Sequence, residues 1–152
     1  MLYLYLKWLH VLSAIIAVGA NATYGIWLAR ASRDTGNLPF TLKGIKMLDD
    51  RFANPAYGLL LITGLAMVFT APLPLTTPWL LTGLVLYGVL VLVGLLGYTP
   101  ALRRQIQILE AEGFNSPNYQ AQARRGTMLG IILAILAIGI VFLMVVKPAL
   151  WA

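Results

Sequence analysis

His10 is the single histidine of the chain, and it lies in an apolar stretch where few side chains can do chemistry. A neutral imidazole offers a lone pair to haem iron or to a metal ion. At helical spacing Lys7, His10, Ala14, Ala17, Asn21 and Tyr24 fall on one face, with Ser13 at its edge. A polar or small stripe on an apolar helix turns toward protein, because a buried polar group needs a partner. Two uses of His10 are open: a ligand or proton site, or an interhelical hydrogen bond with Ala14 and Ala17 permitting close packing. Met67 and Met144 are the thioethers that could join His10, as a His/Met haem pair or a His/Met copper site. The plainer reading is that both are ordinary gap-filling side chains. The chain has no cysteine and no methionine cluster, which favours haem over copper. There are no paired carboxylates, no Ser-His-Asp set, no phosphate loop and no cluster with metal-ligand spacing.

The elements that must position these residues follow from composition. Of 152 residues, 60% are apolar and 11% charged, against about 25% charged in ordinary globular proteins. A soluble domain of this length could not cover that much apolar surface, and a disordered chain would be poor in it. The composition predicts an all-α integral membrane protein, a single domain over 1–152. A first span covers about 2–29. The charge-free run from Phe52 to Leu102 is 51 residues long, while about 20 cross the hydrocarbon. Pro72 and Pro74 divide it into spans at about 55–71 and 78–98. The fourth span covers about 126–146. The result is a four-transmembrane-helix bundle.

Asn54-Pro55, Thr77-Pro78 and Ser116-Pro117 each set a capping residue before a proline, the pattern of a helix start. Thr99-Pro100 predicts a kink or a fresh start. Leu102, Ile106 and Leu109 recur at helical spacing, and Gly113 is a natural stop. Spans three and four are therefore expected to continue as a helical hairpin closed near 113–116. Thr41–Phe52 reads as a short interfacial helix, and Asp49, Asp50 and Arg51 as a solvated charge cluster. Val18-Gly19-Ala20-Asn21-Ala22 resembles a signal-peptidase site. Without a basic segment ahead of it, and with apolar residues running to Ala29, it reads as a retained helix.

The net charge is +6, from 11 basic and 5 acidic residues. Arg30, Arg33, Lys43, Lys46 and Arg51 lie before span two, and Arg103, Arg104, Arg124 and Arg125 between spans three and four. The positive-inside rule puts both segments in the cytoplasm and both termini outside. Trp8, Trp79 and Trp151 then mark the outer interface and Trp27 the inner one. In this orientation His10, Met67 and Met144 all lie in the outer half. Arg124 and Arg125, just inside the inner face, suit anionic lipid headgroups, and nothing requires a nucleic-acid partner. Gly126, Gly130 and Ala134 form a small-residue stripe, and Gly83, Gly88, Gly94 and Gly97 punctuate span three. Such residues favour close helix packing, within one subunit or between subunits.

Leu6-Lys7-Trp8-Leu9-His10-Val11-Leu12, with Gly19, Pro55, Thr63-Gly64-Leu65 and Pro100-Ala101-Leu102-Arg103-Arg104, resembles a bacterial four-span membrane family of unknown function, DUF2269. Ile140 to Pro148 completes the likeness, which covers nearly the whole chain. The Lys-x-x-His start, Gly19 and Arg30 are more distantly similar to CopD-like proteins and the HemJ type of protoporphyrinogen oxidase. That second resemblance implies haem b on His10. The later intrahelical basic residue of those proteins has no counterpart in spans two and three. The resulting expectation is a bacterial inner-membrane protein that acts as a non-catalytic accessory subunit, homo-oligomeric or part of a membrane complex. The alternative is a b-type haem protein, redox or porphyrin-handling, with His10 as axial ligand.

Overall fold

A computed structural model describes residues 1–150; the expected interfacial role of Trp151 lies outside them. The described residues form helices α1 (Leu2–Ala31), α2 (Leu38–Leu48), α3 (Asn54–Thr70), α4 (Pro78–Leu92), α5 (Thr99–Glu112) and α6 (Pro117–Val146). A single 3-10 turn, Thr35–Asn37, precedes α2. Four helical runs are long and apolar enough to cross a membrane. Their outer faces expose side chains such as Ile62, Leu96, Ile135 and Ile138, as lipid-facing helices do.

Two wide π-helical turns change the expected helix starts. Asp49–Ala53 joins α2 to α3, and Val93–Tyr98 joins α4 to α5, with no break in the helical path. Each leads into a proline, Pro55 or Pro100. Proline lacks an N–H and its ring crowds the carbonyl four residues back; the wider turn accommodates both defects. Asn54 is therefore not an N-cap. It has helical dihedrals, and its side chain donates to Asp49 Oδ2 at 3.3 Å. The short helix predicted at Thr41–Phe52 is present, but it begins at Leu38 and runs continuously into span two.

The other expected boundaries stand. Pro78 opens α4, although Thr77 turns its hydroxyl back to the Pro74 carbonyl instead of capping. Ser116 caps α6 through its side chain, accepting from the Asn118 and Tyr119 N–H groups. Gly113 ends α5 at φ +81°, ψ 174°, a conformation almost confined to glycine. The hairpin closes between these two residues.

Packing is uneven along the bundle. At the end carrying the basic segments, Tyr24, Leu38, Leu42, Ile45, Tyr98, Leu102, Leu109 and Tyr119 form a buried core contributed by α1, α2, the 93–98 π turn, α5 and α6. Gly126 and Gly130 of the predicted stripe face Gln105 and Tyr98 of the same chain, so this part of the stripe packs within the subunit. Lys43 pairs with Glu110 at 2.6 Å, bridging α2 to α5 on the surface. Toward the other end α1 lies on α3, with Ala17 and Ala56 in a second small cluster, and α4 lies on α6. Between these two pairs the bundle opens.

Candidate ligand cavity

The opening is a cavity of about 640 Å³ whose walls come from α1 and α3 on one side and α4 and α6 on the other. The 71–77 connection contributes Leu73 and Leu75 to its lining. Its volume falls within the ~300–1,000 Å³ of small-molecule and cofactor sites. His10, Met67 and Met144, which the sequence sets far apart, all line it. So do Tyr57 and Tyr87, as well as Lys7, Trp79 and Lys147.

His10 is held by its neighbours on α3. Its Nδ1 lies 3.0 Å from Thr63 Oγ1. The Thr63 hydroxyl donates to the Leu59 carbonyl at 2.7 Å, so its single proton is committed and it accepts from the imidazole Nδ1–H. The lone pair then resides on Nε2, and the Leu60 carbonyl is the ring's other protein neighbour. The ring approaches α3 closely because residue 64 is glycine. A Cβ there would stand 3.2 Å from His10 Cε1. A ligating histidine is characteristically fixed in this way, with its second nitrogen donating to a neighbour.

The two methionines occupy different walls. Met67 stands on α3, the wall that also holds His10 through Thr63, whereas Met144 stands on α6 in the facing wall. Gly83 makes room for the Met144 methyl: a Cβ at residue 83 would lie 2.5 Å from its Cε.

Below the cavity the predicted α1 stripe does face protein. Ala17 and Tyr24 are buried, and Asn21 Nδ2 donates to the Tyr57 hydroxyl at 3.0 Å. Tyr87 donates to the Tyr57 carbonyl, which ties α4 to α3 at this level. At the basic end the expected solvated cluster needs correction. Asp50 is exposed and pairs with Lys46, but Asp49 is only 4% exposed. The unbroken helix through residues 49–53 turns it inward, where its Oδ2 accepts from Thr99 at 3.1 Å and from Asn54. The sequence contained a signal for this: Thr99 and Asn54 both stand directly before prolines. As potential caps they hid their role as donors to a shared carboxylate. Arg124 and Arg125 are exposed on α6 at the same end.

These features define a class: an all-helical, four-span membrane protein whose two helix pairs enclose an apolar cavity around one oriented imidazole. The chain belongs to the family described as predicted integral membrane protein DUF2269, whose profile matches residues 4–148. No curated protein and no solved structure matches it. Among the described residues there is no grouping of three or more His, Cys, Asp or Glu side chains able to hold a metal ion.

Proposed function

We propose that this protein binds a haem of the b type in the cavity between its helix pairs, with His10 Nε2 as the axial ligand. One observation carries the reading. The Thr63 hydroxyl, committed to Leu59, fixes the imidazole with its lone pair on Nε2, and His10 lines a cavity of cofactor size. The residues present fit the group. The walls are predominantly aliphatic, as a porphyrin face requires, and imidazole and thioether are both haem-iron ligands. Met144, in the facing wall, and Met67, in the wall that holds His10, would be the thioethers beside the group. Bound haem would supply one-electron chemistry; the chain's own part is to hold, orient and shield it.

The positive-inside rule supports an inner-membrane orientation with the basic end cytoplasmic, which puts the cavity in the outer half. An accessory role beside a second copy or a larger complex draws support from Gly88, Gly94 and Gly139, which face open space. Gly83, Gly97, Gly126 and Gly130 are occupied by contacts within the chain. Haem binding and membership of a complex are compatible, and haem is the more specific claim. Native mass spectrometry of the protein from haem-replete cells tests it. One haem b per chain, absent from His10→Ala, is expected; haem-free protein, or equal retention by the variant, refutes the assignment.

A further inference from the structure

Charge is distributed unequally along this bundle. All five acidic residues, Asp34, Asp49, Asp50, Glu110 and Glu112, belong to the segments at the basic end. The opposite end has two lysines, Lys7 and Lys147, and both line the cavity. Neither forms an ion pair among the described residues, where the salt bridges are Lys43–Glu110 and Lys46–Asp50. Two cations beside an apolar cavity, with no Asp or Glu side chain among the described residues at that end, leave a site for a negative group.

The backbone of Lys147 adds an independent observation. It is the one non-glycine residue with positive φ among those described, at +50°. It closes α6 in the left-handed conformation, its N–H bonded to the Leu143 carbonyl. Glycine ordinarily takes this position, because a Cβ is crowded there. A lysine here sends its side chain back to the cavity, with Nζ 5.2 Å from the centroid of the Trp79 ring. Trp79 lines the same cavity. The aromatic face holds the ammonium through its quadrupole and leaves its N–H donors available.

We infer that Lys7 and Lys147 form an anion-binding collar that takes the two carboxylates of the amphiphile in the cavity, one at each ammonium. This rests on the haem reading above and adds to it the direction in which the ligand lies. The carboxylates point to the end carrying residue 1, and the apolar edge of the ring points down toward Tyr57 and Tyr87. An anionic lipid presents the same chemistry, a negative head on an apolar body.

The test is a titration of the full chain, purified without haem, in nanodiscs of phosphatidylcholine. Metal-free protoporphyrin and its dimethyl ester are added, with binding read from tryptophan fluorescence. Without iron, His10 ligation does not contribute, so the collar is read separately from the axial bond. The wild type is expected to bind the diacid about tenfold tighter than the ester, with the preference shrinking as salt rises. K7Q/K147Q is expected to bind both alike, and K7R/K147R to restore the preference. Equal binding of diacid and ester by the wild type, or a preference surviving in K7Q/K147Q, overturns the collar. If the diacid preference holds while His10→Ala leaves the haem spectrum unchanged, the collar stands and the axial assignment falls. If neither porphyrin binds, phosphatidylglycerol retention is compared by native mass spectrometry. Retention lost in K7Q/K147Q moves the collar to a lipid headgroup, and absence of retention overturns it.

Discussion

Thr63→Val offers the sharpest probe of how the imidazole is prepared. Valine keeps the branched outline of threonine, so the contact between α1 and α3 is preserved while the hydroxyl is lost. Thr63 Oγ1 is the acceptor for His10 Nδ1–H at 3.0 Å. Its loss leaves a half-buried N–H without that partner, a penalty of about 1–3 kcal/mol. It also frees the ring to place its proton on Nε2 instead. Removing the outer partner of a ligating histidine typically weakens binding ~10–100-fold, or about 1.4–2.8 kcal/mol. The assay is a haem titration of the haem-free protein in nanodiscs, followed in the Soret region. Thr63→Val should weaken binding about 10–100-fold, and Thr63→Ser, which keeps the hydroxyl, should stay near the wild type. If Thr63→Val binds within about twofold of the wild type, the hydrogen bond does not prepare His10 and the reasoning fails.

Other consequences can be measured on the same protein. Gly83→Val places bulk where a Cβ already meets Met144 Cε at 2.5 Å; overpacking should cost about 1–3 kcal/mol in unfolding experiments and displace Met144 from its site. Asp49→Ala strands the Thr99 and Asn54 donors and should lower stability by about 1–3 kcal/mol in detergent unfolding, whereas Asp50→Ala, at an exposed pair, should cost under about 1 kcal/mol. Ser116→Ala removes the side-chain acceptor at the start of α6 and should cost about 0.5–2 kcal/mol, seen as faster proteolysis of the 113–116 turn. The chain has no cysteine, so single cysteines report topology cleanly. Ser116→Cys should be labelled by an impermeant maleimide only from the cytoplasmic side and Thr76→Cys only from outside; the reverse pattern would invert the orientation.

Much of the architecture is legible in the sequence because the bilayer restricts the solutions. A charge-free run of 51 residues interrupted by two prolines must fold into two spans, and the structure divides it at Thr70 and Pro78. Gly113 and Ser116 mark the hairpin because their local chemistry acts within a few residues. Asn54-Pro55 and Thr99-Pro100 mislead for the opposite reason. Whether a proline starts a helix or is absorbed by a π turn depends on what the preceding side chain can reach. Here both reach Asp49, across 5 and 50 residues of chain. The spacing on α1 marks the protein-facing side of His10, but not its partner. Thr63 lies 53 residues away, and an α-helix carries no sequence mark of its neighbour. The cavity is less legible still. It lies between the α1–α3 pair and the α4–α6 pair, a property of helix pairing that no local pattern records. Lys7 and Lys147 are visible as charges, but their convergence on one cavity follows only from the fold.

The visible absorption spectrum of the purified protein, from haem-replete cells and beside its His10→Ala variant, tests the central claim most directly. A Soret band in the wild type, lost or markedly shifted by the substitution, is the predicted result. A wild type without the band, or a band the substitution leaves unchanged, would contradict the assignment of His10 as a haem ligand.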